Sequence, residues 1–227
     1  MPLVHAENIT EECRLLVWEL TESLETLPEI LPAAADLTEF STISHPQKKR
    51  EWLAGRALLA KIAAEAGEVF QGTWKDEHGK PFLINSKCFI SITHTIDYVA
   101  AVIHPTLPVG IDMEKMDNKL LRTARKYLNE SEMLEAGSSL SKHCIYWCAK
   151  EALFKLNGRH RVSFKEDIEI VPFDESTKNL NALLRDSGRE IGANINLRWL
   201  GDYCLAVAVI TRTTHLSCPS ALGSPRT

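Results

Sequence analysis

Asp112 and Glu114 stand two apart in the short apolar run V-G-I-D-M-E at 109–114. On a strand that spacing points both carboxylates from one face, and two such carboxylates repel each other unless a cation or basic groups share them. Hard oxygen ligands of this kind suit Mg²⁺, which keeps several of its waters and also binds phosphates. The competing reading is a pair of solvated charges at a strand end. Gly110 just ahead of them lets a bulky ligand approach the backbone. A second group is W-C-A-K-E-A-L-F-K at 147–155, where Glu151 and Lys155 lie four apart and so neighbour each other on one helix face. Alone that is a common surface pair worth about 0.2–0.5 kcal/mol, but Trp147, Leu153 and Phe154 around it indicate a packed helix.

A third group joins H-G-K-P at 78–81 to S-I-T-H-T at 91–95. Lys80 projects from a turn marked by Gly79, while Thr93 and Thr95 flank His94 at the end of an apolar strand. Hydroxyls, an imidazole and a lysine together suit phosphate oxygens, although a single His at a strand end is more often structural. The fourth group is basic: Lys48, Lys49 and Arg50, then Arg56. Cations that open a helix oppose its dipole, a misplacement that favours a use such as holding phosphate over a merely solvated face. His143, Cys144 and Cys148 suggest a soft-metal site but lack a suitably spaced fourth ligand.

The elements that must position these groups follow from periodicity and punctuation. A strand is expected at 13–20 and a helix at 46–66, opened by Pro46 and stopped by Gly67. A hairpin follows at 88–93 and 98–104, then a strand at 109–114 and helices at 119–136 and 139–157. Runs 195–200 and 203–210 flank Gly201-Asp202, a good two-residue hairpin turn. A long helix and an antiparallel hairpin thus occur once in each half. The fold class expected is α+β, with two similar lobes, each an antiparallel sheet packed against a long helix. The first lobe spans 1–106 and the second, carrying the carboxylates, 107–212. Pro105 to Pro108 forms the crossover, and 213–227, within a Ser-, Thr- and Pro-rich stretch, is a disordered tail.

With 227 residues, 44% hydrophobic and 25% charged, the chain has an ordinary globular profile. Its 26 Lys plus Arg against 30 Asp plus Glu give a net charge of -4, which argues against a general nucleic-acid binder. The uncharged stretch 98–111 is too short to span a bilayer, so no membrane role is expected. The first residues include His5, Glu7, Glu11 and Glu12 rather than a basic start and apolar block. Six cysteines with no C-x-x-C pair fit a reduced, cytoplasmic protein.

In order and spacing, G-K-P at 79–81, T-H-T at 93–95, G-I-D-M-E at 110–114 and W-C-A-K-E-A-L-F-K at 147–155 resemble the 4'-phosphopantetheinyl transferases, in particular the longer, Sfp-type branch with two pseudo-symmetric lobes in one chain. The resemblance spans roughly residues 44–157. It implies an enzyme that transfers 4'-phosphopantetheine from coenzyme A to a serine of an apo acyl or peptidyl carrier protein and releases 3',5'-ADP. It implies Mg²⁺ held by Asp112, Glu114 and Glu151, and Lys155 contacting phosphate or assisting proton removal. Glu132 falls where the family places a general base, although Glu130 lies two residues away. Arg56, Lys80, Thr93 and His94 match positions that hold the nucleotide half of coenzyme A, and Lys48, Lys49 or Arg50 reaches its 3'-phosphate.

The mildly acidic chain must steer an acidic carrier through a local basic patch, for which Arg122, Arg125 and Lys126 are the expected residues. A monomer is implied by the two-lobed resemblance. Two rivals remain: an Mg²⁺-dependent nucleotide pyrophosphatase or phosphohydrolase, which needs no carrier surface, and a non-catalytic carrier-protein-binding module, which need not keep Asp112, Glu114, Glu151 and Lys155 together.

Overall fold

The computed structural model describes residues 3–31, 37–158 and 161–215. One sheet contains β1 (Leu3–Asn8), β2 (Arg14–Glu19), β3 (Thr73–Lys75), β4 (Pro81–Leu83), β5 (Phe89–His94) and β6 (Tyr98–His104), in the order β1-β2-β6-β5-β4-β3. The other contains β7 (Val109–Lys115), β8 (Ile168–Ile170), β9 (Asn179–Asp186), β10 (Arg189–Leu200) and β11 (Tyr203–His215), in the order β7-β11-β10-β9-β8. The pairings in both sheets are antiparallel. The helices are α1 (Thr38–Thr42), α2 (Pro46–Glu65), α3 (Lys119–Thr123), α4 (Glu130–Ala136) and α5 (Leu140–Asn157). The architecture is α+β, with one long helix, α2 or α5, packed on each sheet.

Each long helix carries its own start and stop. Pro46 opens α2 at a position whose N–H has no helical partner, and the His45 ring accepts from the Gln47 N–H at 3.2 Å. Ser139 caps α5 by accepting from the Lys142 N–H at 3.2 Å, and Gly158, left-handed at φ 69°, ends it. Leu53, Leu58, Leu59 and Ile62 of α2 are buried with Leu16, Trp18, Ile90 and Val99 of the first sheet. Cys144, Cys148, Ala152 and Leu156 of α5 are buried with Leu184, Ile195 and Ala206 of the second. A third apolar layer lies between the sheets, where Leu15, Val17, Ala100 and Val102 meet Val109, Ile111, Met113, Leu205 and Val207.

Gly110 serves packing rather than ligand approach. A Cβ there would lie 2.0 Å from the Ala152 carbonyl oxygen and 2.5 Å from the Leu156 nitrogen, so only glycine lets β7 rest against α5. Three expectations need correction. The stretch 119–136 is not one helix: α3 passes into a 3₁₀ turn at Ala124–Lys126, and Asn129 starts α4 afresh. The second hairpin is longer than 195–210, because β10 begins at Arg189 and absorbs a bulge at Gly192/Ala193. Its partner β11 continues to His215, so residues 211–215 are strand; the rest of the expected tail, 216–227, lies outside the described residues.

Candidate active site

Strand alternation in β7 sends Ile111 and Met113 into the layer between the sheets and leaves Asp112 and Glu114 on the α5 side. On α5, Trp147, Glu151 and Lys155 recur every four residues and form one stripe. The stripe meets the strand: Trp147 Nε1 donates to Glu114 Oε1 at 2.9 Å, and Lys155 Nζ donates to Asp112 Oδ1 at 2.7 Å. From the first sheet, Thr93 Oγ1 donates to the same Asp112 oxygen at 3.1 Å, and Ser91 Oγ accepts from the Ile111 N–H at 3.1 Å. Two side chains of β5 thereby fix β7 against the other sheet.

The electrostatics of this corner are those of crowded carboxylates. Burial, then the neighbouring Asp112, pushes Glu151 from the ordinary 4.5 up to about 7. Burial and Asp112 also raise Glu114, against the pull of the Trp147 N–H. Burial works against the Lys155 ammonium, but Asp112 beside it prevails and holds Lys155 above its ordinary value. Lys155 is therefore a cation near neutrality rather than a proton acceptor. Asp112 Oδ2 is buried without a hydrogen-bond partner. An orphaned carboxylate oxygen beside two carboxyls of raised proton affinity suits a hard cation. Among the described residues no cluster of three or more His, Cys, Asp or Glu is already drawn together as a metal cage.

Two adjoining cavities share Ile92, His94 and Lys155. The smaller, about 520 Å³, is lined by Thr93, Asp112, Glu114, Glu151 and Tyr203. The larger, about 610 Å³, is lined by Lys48, Glu51, Trp52, Arg56, Lys75 and Lys80 among others. His94 sits at the junction with its Nε2 3.0 Å from Glu51 Oε2, and burial keeps its pKa below the ordinary value. Glu51 also receives Lys48 at 2.7 Å. Burial lowers Lys80 to about 8, and its ammonium donates to the Leu156 carbonyl at the end of α5.

The structure thus brings together Lys48, Arg56, Lys80, Thr93, His94, Asp112, Glu114, Glu151 and Lys155. Three expected residues lie elsewhere: Lys49, whose ammonium is 5.2 Å from the Phe40 ring, Arg50 and Glu132. Arg50 lines neither cavity; it clasps the N-terminal segment by donating to the carbonyls of Leu20 at 2.8 Å and Glu22 at 3.1 Å. Glu132 is 2% exposed and fully engaged. Its Oε2 accepts from Lys150 Nζ at 2.6 Å and from the Asn129 N–H at 3.0 Å, and its Oε1 accepts from the Ile170 N–H at 3.0 Å. Sequence reasoning missed Glu39, Glu51, Trp52, Lys75 and Tyr203. Glu51, three residues after Lys48 on α2, was within reach of helical spacing, whereas Glu39 and Lys75 carry no local signal.

The 4'-phosphopantetheinyl transferase superfamily profile matches residues 108–208, which include β7 and α5. The holo-[acyl-carrier-protein] synthase of Staphylococcus carnosus is 32% identical over a match covering 36% of this chain and 80% of that protein. The 4'-phosphopantetheinyl transferase AcpT of Salmonella typhimurium is 29% identical, covering 56% and 69%. The 4'-phosphopantetheinyl transferase gsp of Aneurinibacillus migulanus is 29% identical, covering 37% of each. With the carboxylate strand and the W-x-x-K-E helix inside the matched region, the chain belongs to the 4'-phosphopantetheinyl transferase superfamily and is an enzyme of that class.

Proposed function

We propose that the protein transfers 4'-phosphopantetheine from coenzyme A to a serine of an apo acyl or peptidyl carrier protein. The observation that carries this reading is the joining of a carboxylate corner, with its orphaned Asp112 oxygen, to a cation-rimmed cavity at His94 and Lys155. Asp112, Glu114 and Glu151 would hold Mg²⁺, which neutralises diphosphate charge when bound.

The serine hydroxyl attacks the phosphorus bearing pantetheine, a new P–O bond forms, the diphosphate P–O bond breaks and 3',5'-ADP leaves. Such a reaction asks the protein chiefly for positioning and charge compensation. Lys155, held as an ammonium, stabilises charge on the diphosphate. Lys48, Arg56, Lys80 and His94 hold the nucleotide half, with Thr93 orienting Asp112. Glu132 is engaged by Lys150, so it could take the hydroxyl proton only by breaking that pair.

The carrier is expected to dock on Arg122 in the last turn of α3 and on Arg125 and Lys126 in the 3₁₀ turn that follows, all three exposed. The five described cysteines are free thiols, which supports a cytoplasmic setting, and a single chain supplies both sides of the cleft, which supports a monomer. No helix among the described residues is long and apolar enough to cross a membrane.

Intact-mass spectrometry of an apo carrier incubated with coenzyme A, Mg²⁺ and the protein tests the proposal. A gain of one phosphopantetheine, lost with chelator and with Glu151→Ala, is the expected result. Coenzyme A cleaved without a mass gain on any of several carriers would instead mean hydrolysis.

A further inference from the structure

We propose that Glu39 is an internal competitor for the phosphate-binding cations of the larger cavity, so that a polyphosphate enters only by displacing this carboxylate. Glu39 Oε1 accepts from Lys75 Nζ at 2.6 Å, and its Oε2 accepts from an Arg56 guanidinium nitrogen and from Trp52 Nε1, both at 3.0 Å. All four residues line the cavity. The Arg56 guanidinium lies 4.6 Å from the Trp52 ring centroid, a stack that fixes the fork facing Glu39. One carboxylate thus occupies the donors that a phosphate would use.

The geometry also makes the occupant replaceable. Glu39 belongs to α1, a five-residue helix with no buried residue. The neighbouring Phe40 packs its ring at a tilt on Trp52, centroids 5.6 Å apart, and lies 5.2 Å from Lys49 Nζ. Glu39 and Lys75 are each about half exposed, at 43% and 50%, so water screens their attraction. A phosphate carries more charge and three acceptor oxygens, and it can take the arginine fork through two bonds at once. The hydrogen bonds from Lys75 and Trp52 keep Glu39 below the ordinary carboxylate range, so the competition persists through neutral pH. The consequence is selectivity: a ligand with a single weak anionic group gains little over Glu39, whereas a diphosphate does.

The choice of coenzyme A as one probe rests on the functional reading above; inorganic pyrophosphate does not. Calorimetric titration of each into wild type, Glu39→Gln and Glu39→Ala, without divalent metal, separates the two ideas. Pantetheine, which has no phosphate, serves as the uncharged control. Both variants should bind pyrophosphate and coenzyme A about three- to tenfold more tightly at low salt. The gain should shrink as ionic strength rises, and pantetheine should respond equally in all three proteins. Equal or weaker phosphate binding by the variants would overturn the proposal, because Glu39 would then be organising the cations rather than competing for them. Tighter pyrophosphate binding by the variants, with no coenzyme A binding by any of the proteins, would sustain the competition and refute the substrate.

Discussion

Replacing Glu132 with Gln should cripple stability before it touches chemistry. Lys150 is fully buried and donates to Glu132 at 2.6 Å, to the Phe164 carbonyl at 2.8 Å and to the Ile168 carbonyl at 2.7 Å. Glu132 in turn accepts two backbone N–H groups, so the pair ties α4 and α5 to β8 and to the loop before it. Glutamine keeps the shape but leaves a buried ammonium without its counter-charge, which costs about 3–5 kcal/mol. For a chain of this size each kcal/mol lowers Tm by about 2–4 °C, so a fall of about 6–20 °C is expected. Lys150→Met should destabilise in the same direction. The double variant should lose less than the sum of the two, with a coupling of about 0.5–3 kcal/mol. Urea unfolding followed by tryptophan fluorescence gives these values, and carrier modification at a temperature where Glu132→Gln is still folded gives the chemistry. If Glu132→Gln keeps its stability yet loses the ~10²–10⁴-fold expected for removal of a general base, the structural assignment is wrong and Glu132 is the base.

Glu151 gives a pH signature without any carrier. Its proton affinity is raised on folding, so the native state binds more protons than the unfolded one and stability in chelator falls as pH rises from 4.5 to about 7. Glu151→Gln should flatten that slope while remaining folded; an unchanged slope on thermal scans would show that Glu151 does not titrate in this range. Reversing charge at Arg122 and Arg125 should raise KM for an acidic carrier and leave coenzyme A binding as it was, and unaltered carrier kinetics would dismiss that docking face. Gly110→Ala should abolish soluble folded protein, since its Cβ would meet α5 backbone at 2.0 Å; a folded variant would mean that β7 and α5 can separate cheaply.

Much of the site was legible because chemistry and periodicity coincided. Asp112 and Glu114 are two apart on a strand, and Trp147, Glu151 and Lys155 are four apart on a helix, so their faces follow from spacing alone. Which faces oppose each other is a tertiary fact, and Thr93 on Asp112 could not be read locally. Glu132 and Arg50 are set apart from the cavities by contacts that sequence hides: a charged residue near a motif reads as functional, yet here Glu132 bonds a partner 18 residues on, and Arg50 bonds carbonyls 28 and 30 residues back. The short strands β3, β4 and β8 escaped notice, since three residues are too few to show alternation.

The apolar layer between the two sheets also has a bearing on how such a chain could be cut and rebuilt. Only residues 105–108 link β6 to β7, and two of their N–H groups, from Thr106 and Leu107, are pinned on the His104 ring. A break in that connector would free two fragments, each baring a flank of valine, leucine and isoleucine that the other normally covers. Neither fragment alone would own the whole candidate site, because β5 supplies Thr93 and His94 while β7 and α5 supply the acids. Co-expressed halves would therefore regain catalysis only on reassociation, which makes this protein a natural substrate for split-reporter engineering.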